Sequence, residues 1–218
     1  MRTNPLSSLL APLLLLVATP AAAAENPLFA DALKSKLGEG WSWIHESPDA
    51  WKIDGDGLHL RAVPGTLWGG ENDGRNQLVR ATPEGDVVVE VTVHMDSPDP
   101  PQWEQAGLLW YVDDDNFVKL VKEDEHEKWN IVMGKEEEGR TTVLCVTPVE
   151  DGPLRLRLEV RGKKIVGRYR LGDGEWKVAA ECEFAPEGKP HIGLHAQRGP
   201  ADAEHWIRME DLSVERAE

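Results

Sequence analysis

One hairpin constrains this chain more than any other feature. Gln105-Ala106-Gly107-Leu108-Leu109-Trp110-Tyr111-Val112 is an apolar, aromatic run, and Asp113-Asp114-Asp115-Asn116 is a set of four turn formers. Phe117-Val118-Lys119-Leu120-Val121 is a second β-rich run. The same rhythm recurs on both sides. Val87, Val89, Val91 and Val93 alternate along one segment, and Arg161-Gly162-Lys163 and Gly172-Asp173-Gly174 carry hairpin chemistry. A dozen or more short strands, with no internal repeat, linker or low-complexity tract, predict an all-β fold. Its expected form is two antiparallel sheets packed as a jelly-roll sandwich in one domain.

The first residues read differently. Arg2, the apolar stretch 9–17 and Pro20-Ala21-Ala22-Ala23-Ala24 form the pattern of a secretory signal peptide. Residues 1–24 are therefore expected to be removed and the protein to be secreted or periplasmic. The apolar stretch falls short of the about 20 residues a membrane span needs. Leu28, Phe29, Ala32, Leu33 and Leu37 recur at helical spacing, and Gly38 and Gly40 follow. A short amphipathic helix is expected there, within a segment 25–40 ahead of the β domain at 41–218.

A formal net charge of −15 repels phosphate backbones, so nucleic acid is a poor partner. Neutral glycans and cationic partners remain. The two cysteines, Cys145 and Cys182, lie in strand-like segments of a chain expected to be exported. They either pair or stand as two buried thiols, because pairing needs Cα atoms within about 7 Å and the sequence does not fix that distance.

With the strands in place, the chain resembles the concanavalin A-like C-terminal domain family of β-xylosidases and its relative, the "regulation of enolase" family. The likeness rests on Trp41-Ser42-Trp43, Pro48, Trp51-Lys52-Ile53 and Gly57-Leu58-His59-Leu60. It continues at Asn76-Gln77-Leu78, the alternating valines, Gln105-Ala106-Gly107-Leu108, Asn116-Phe117-Val118-Lys119 and His191-Ile192-Gly193-Leu194. The resemblance implies a concanavalin A-like sandwich acting as a non-catalytic, lectin-like module for a glycan or glycan-bearing surface. This sequence holds no match to the catalytic propeller that accompanies the β-xylosidase version. A structural or protein-interaction module is the alternative that lacks a ligand cleft.

The candidate site residues follow from side-chain chemistry. Lys119 and Glu123 share a sheet face by the two-residue period, and a lysine and a glutamate at this spacing also occur in the enolase-regulation relatives. With Trp110 they would form a face that holds a polar ligand; a surface ion pair is the plainer reading. Among nine tryptophans, Trp68 and Trp103 sit in loops, where an indole plane is free to stack on a sugar, and Trp129 fits either role. A glycoside hydrolase would need two carboxylates, Glu123 and Glu127, ~5.5 Å apart for retention. The charged run Glu123-Asp124-Glu125-His126-Glu127 suits a solvated hairpin tip better. No cofactor is required by any motif. The turns Asp54-Gly55-Asp56-Gly57 and Asp113-Asp114-Asp115-Asn116 offer oxygen ligands to calcium, yet serve equally as plain turns. His191 and His195, ~13 Å apart along a strand, cannot share one ion.

Overall fold

The computed structural model describes residues 27–218 except Asp96 and Pro98, and the expected signal segment 1–24 lies outside the described residues. The strands run β1 (Phe29–Asp31), β2 (Trp41–Ile44), β3 (Trp51–Asp54), β4 (Gly57–Ala62), β5 (Gln77–Ala81), β6 (Val87–His94), β7 (Gln105–Asp113) and β8 (Asn116–Asp124). They continue as β9 (Trp129–Glu137), β10 (Arg140–Pro148), β11 (Leu154–Arg161), β12 (Lys164–Leu171), β13 (Lys177–Glu183), β14 (His191–Gln197) and β15 (His205–Arg216). Sheet A has the order β13-β12-β11-β6-β15-β4-β3, with β1 added on β15. Sheet B has the order β10-β9-β8-β7-β14-β5-β2. All strand pairs are antiparallel. The predicted all-β sandwich is what the chain forms.

Alternation in sequence becomes two faces in space. Val87, Val89, Val91 and Val93 of β6 are buried, and Leu154, Leu156 and Leu158 of β11 stand opposite them on the same inner face. Each such side chain contributes about 1.5–3 kcal/mol by leaving water, so a one-residue slip would forfeit the whole row. The outer face of sheet A is charged instead: Glu90 accepts from Arg155 at 2.6 Å and also pairs with Arg157, while Arg168 donates to Glu159 at 2.7 Å.

Glu210 is the hub of a second outer-face cluster, with Lys34 at 2.7 Å, His94 at 2.7 Å and Arg208 at 2.8 Å. Partial burial pushes its carboxyl up, but these donors outweigh it and hold the pKa down to about 2. A folded pKa below the ordinary 4.5 stabilises the fold above that pH and ceases to as the pH falls toward 2. Thermal melts of Glu210→Gln should therefore show a lower Tm than the parent at pH 7. The gap should close as the pH is taken from 4.5 down to about 2.

Sheet B is different at its centre. Strands β7, β8 and β14 are buried on both faces, which explains why the Gln105 run reads as continuous rather than alternating. Val118 and Leu120 face the main core, whereas Leu109, Tyr111, Phe117 and Val79 face outward. Leu67 and the half-buried Trp68, from the connection between β4 and β5, cover that outward cluster.

One expectation is corrected. The helix over 27–37 does not form; Phe29–Asp31 is a strand registered on Val214, Ser213 and Leu212 of β15. Asp31 explains the change, because its carboxylate accepts from the backbone N–H of Leu33 (2.8 Å) and Gly38 (3.0 Å) and from Trp41 Nε1 (3.1 Å). The segment is thereby folded into a turn that sinks Leu33 into the core. Of the two alternatives open for the cysteines, the structure holds the unpaired one: Cys145 lies on β10, Cys182 lies on β13, and both are free thiols. Burial raises both pKa values, that of Cys182 to about 11, so each sulfur acts as a small, weakly reactive hydrophobe.

Candidate functional site

The outer face of sheet B carries a polar constellation that a solvated sheet face would not need. Lys119 and Glu123, four residues apart on β8, point the same way and approach to 3.5 Å. Gln105, opposite Glu123 on β7, joins them: its Oε1 accepts from Lys119 Nζ at 2.8 Å, and its Nε2 donates to Glu123 Oε2 at 2.7 Å. All three side chains are buried. Burial pushes the Lys119 amine down and the Glu123 carboxyl up, while their mutual attraction works against both shifts. On the adjoining β14, His195 is buried with neither ring nitrogen partnered, and burial drives its pKa down to about 3.

Two indoles rise beside this floor. Trp68 lies with its ring centroid 4.4 Å from Lys119 Nζ and edge-on to Phe117 at 6.2 Å. Its ring rests on Gly134 of β9, where an added Cβ would come within 2.7 Å of Trp68 Cη2. The connection carrying Trp68 is tied down along its length. Thr66 N–H donates to Asp73 at 2.7 Å, Leu67 N–H to Gln197 at 3.1 Å, and Gly69 N–H to Glu136 at 3.0 Å. Gly69 and Gly70 have φ of 84° and 75°, a left-handed turn that aims both amides toward the buried Glu136 carboxylate. Trp103 stands opposite, 44% exposed, fixed by its backbone N–H to Asp124 O at 2.7 Å. Arg198 places its guanidinium 5.4 Å from the Trp103 ring.

Between the indoles lies a cavity of ≈ 330 Å³ whose polar lining includes Gln105, Lys119, Glu123 and Arg198. Val132, Val143 and Val146 form its apolar wall, and Glu125 adds a further carboxylate. A bulge in β10 between Val143 and Cys145 puts both Val143 and Val146 on the cavity side. Such a recess, with apolar planes and a few fixed polar groups, suits a small polar ligand with a hydrophobic face.

Of the residues singled out from the sequence, the structure gathers Trp68, Trp103, Lys119 and Glu123 around this one cavity. Trp110 is not among them; it is 6% exposed and belongs to the main core on the opposite face. A bulge at the end of β7 causes the switch. Counting outward from Asp113 and Asn116 would set Trp110 against Lys119, but the extra residue Val112 pairs it with Val118. Trp129 is also elsewhere, half-buried beside Lys122 Nζ at 4.4 Å and lining a separate crevice with Asp124 and Glu127. Glu127 sits at the exposed tip of the β8–β9 hairpin, where His126 and Glu127 have φ of 56° and 62°. Glu123 and Glu127 thus line different recesses, so the carboxylate pair of the hydrolase alternative is not assembled across one cavity.

Gln105, Glu136, His195 and Arg198 were not singled out as site residues. Gln105 stood in the sequence only as part of a strand signature, and its place opposite Glu123 depends on the Val112 bulge. The other three arrive through long-range packing, for which no local pattern exists. The acidic turns close on themselves: Asp54 Oδ1 accepts from Asp56 N–H and lies 3.0 Å from His59 Nε2, and Asp113 Oδ1 accepts from Asp115 N–H and Asn116 Nδ2. Among the described residues, no group of three or more His, Cys, Asp or Glu side chains is arranged to hold a metal ion. None of the described helices is long and apolar enough to cross a membrane.

Solved structures share this architecture. A GH43 protein, BlXynB from Bacillus licheniformis, superposes with a TM-score of 0.77 at 19% identity over 86% of this chain and 39% of its own. Xylan beta-1,4-xylosidase from Bacillus halodurans gives 0.72 at 15% identity, covering 91% of this chain and 41% of that one. The carbohydrate binding module CBM66 from Bacillus subtilis gives 0.55 at 14% identity, over 81% and 95%. The chain thus spans about two fifths of the length of the two GH43 enzymes and nearly all of the binding module. At these identities the likeness establishes the fold, a concanavalin A-like β-sandwich. No curated protein sequence matches the chain. Residues 43–217 match the family model described as a protein of unknown function, DUF1349, and the chain belongs to that family.

Proposed function

We propose that this chain is a non-catalytic, lectin-like module that binds a glycan in the cavity on the outer face of sheet B. The observation that carries the reading is the pairing of two indole planes, Trp68 and Trp103, with a floor of hydrogen-bonding side chains. A sugar has the same two-sided chemistry, with C–H faces that pack on an aromatic plane and hydroxyls that seek polar partners. The architecture shared with a carbohydrate binding module and with glycosidase chains supports the same direction, as an analogy of fold. The signal-peptide pattern of residues 1–24 supports export, and with it an extracellular or periplasmic glycan as the ligand.

The test is a glycan array combined with pull-down on insoluble polysaccharides, assayed in parallel for released reducing sugar. Saturable binding without sugar release is the expected result. Release of sugar that disappears in Glu123→Gln would replace the module by a hydrolase, and absence of binding to every glycan would leave a protein-interaction module.

A further inference from the structure

The charge inside the cavity is more specific than a generic sugar site requires. Lys119 is committed, since its ammonium donates to Gln105 and Glu123 and so cancels the Glu123 charge. Arg198 is not. Among the described residues its guanidinium has neither a hydrogen-bond acceptor nor a carboxylate within ion-pair distance; it lies beside the Trp103 ring, and its charge is felt by Lys119 and Glu123. Glu125 lines the same cavity without pairing with it. Elsewhere in a chain with 39 acidic and 24 basic residues, several arginines are satisfied by carboxylates. Arg61, Arg155, Arg168 and Arg208 each hold a carboxylate.

The backbone at Arg198 is set in place. Its φ of 59° is a left-handed conformation that costs a non-glycine residue energy, and its N–H is tied to Gly65 O at 3.2 Å. Gly65 lies in the same connection that carries Trp68, so the side chains of Arg198 and Trp68 are rooted in one piece of backbone. An unpaired guanidinium beside an aromatic plane is a receptor for a planar anion that arrives attached to an apolar face.

We propose that the glycan taken by this cavity carries a single carboxylate, a uronic acid residue bound by Arg198 in a bidentate pair while its ring lies against Trp103 and Trp68. The proposal rests on the glycan-binding reading and narrows its ligand class. One carboxylate is specified because one guanidinium is free. A net charge of −15 disfavours a long polyanion, yet at ~0.15 M salt its reach shrinks to about 8 Å and leaves the local contact intact.

The experiment presents the protein with sugar pairs that differ only in a hydroxymethyl group against a carboxylate: glucose and glucuronate, galactose and galacturonate, mannose and mannuronate, each as a terminal residue on the same carrier. Sulfated versions form a third arm. The expected result is binding of at least one uronate about tenfold tighter than its neutral twin. That ratio should collapse toward one in Arg198→Gln and be only partly kept in Arg198→Lys, which holds the charge without the planar fork. Equal or tighter binding of the neutral twin would overturn the proposal while leaving the glycan reading intact. A preference for the sulfated arm, or a ratio unchanged in Arg198→Gln, would overturn it too. Failure of every sugar to bind would remove the glycan reading and the proposal together.

Discussion

Trp103→Ala is expected to weaken glycan binding by roughly 30-fold, about 2 kcal/mol, while leaving the fold unaltered. The magnitude is that of a tryptophan at the centre of a binding site. Stability is spared because the side chain is 44% exposed and belongs to no core cluster. Its left-handed backbone, φ 71°, is no harder for alanine than for tryptophan. Calorimetric titration beside a thermal melt separates the two effects. Trp68→Ala makes a useful contrast, because Trp68 also packs on Phe117 and shields Lys119. It should lose affinity and Tm together.

Lys119→Met should be the most damaging single change in the site. Removing the amine strands the buried Glu123 carboxylate, and breaking a buried pair costs about 3–5 kcal/mol. For a chain of this size that lowers the Tm by ~6–20 °C. The pH dependence tests the cause. Burial already raises the Glu123 pKa, and without Lys119 the main opposition to that pull is gone. A folded pKa above the unfolded one means that the protonated side chain suits the fold, so the deficit should shrink as the pH falls and grow as it rises through the shifted value. Lys119→Met combined with Glu123→Leu should recover most of the Tm, since a well-packed apolar pair carries no stranded charge. A deficit independent of pH, and no recovery in the double variant, would mean that packing around Lys119 matters more than its charge.

How far the sequence foretold this molecule depends on the range of the interactions involved. Strand alternation and turn chemistry are local, so the valine row of β6 and the two turns that bound β12 were legible. The pairing of Lys119 with Glu123 was legible for the same reason, being a two-residue period on one strand. The helix expected over 27–37 failed because apolar spacing there competes with three hydrogen bonds to Asp31 and an open edge on β15. Trp110 failed through a single bulged residue, Val112, that moved it to the other face of the sheet. Arg198 carried no local signal, and His195 was considered only beside His191 for a metal ion. They enter the site because β14 pairs with β7, a partner about ninety residues earlier in the chain, and such pairing is a property of the whole sandwich.

The most direct test of a glycan site on sheet B is to follow the nine tryptophan indole N–H signals by NMR while a bound glycan is titrated in. Trp68 and Trp103 flank the cavity, Trp110 is in the core, and Trp176 and Trp206 are stacked with Arg157 and Lys52 on the outer face of sheet A. Saturable shifts of Trp68 and Trp103, with Trp176 and Trp206 unmoved, are the expected result. Shifts confined to Trp176 and Trp206 would place the ligand on the opposite sheet and contradict the assignment of this cavity.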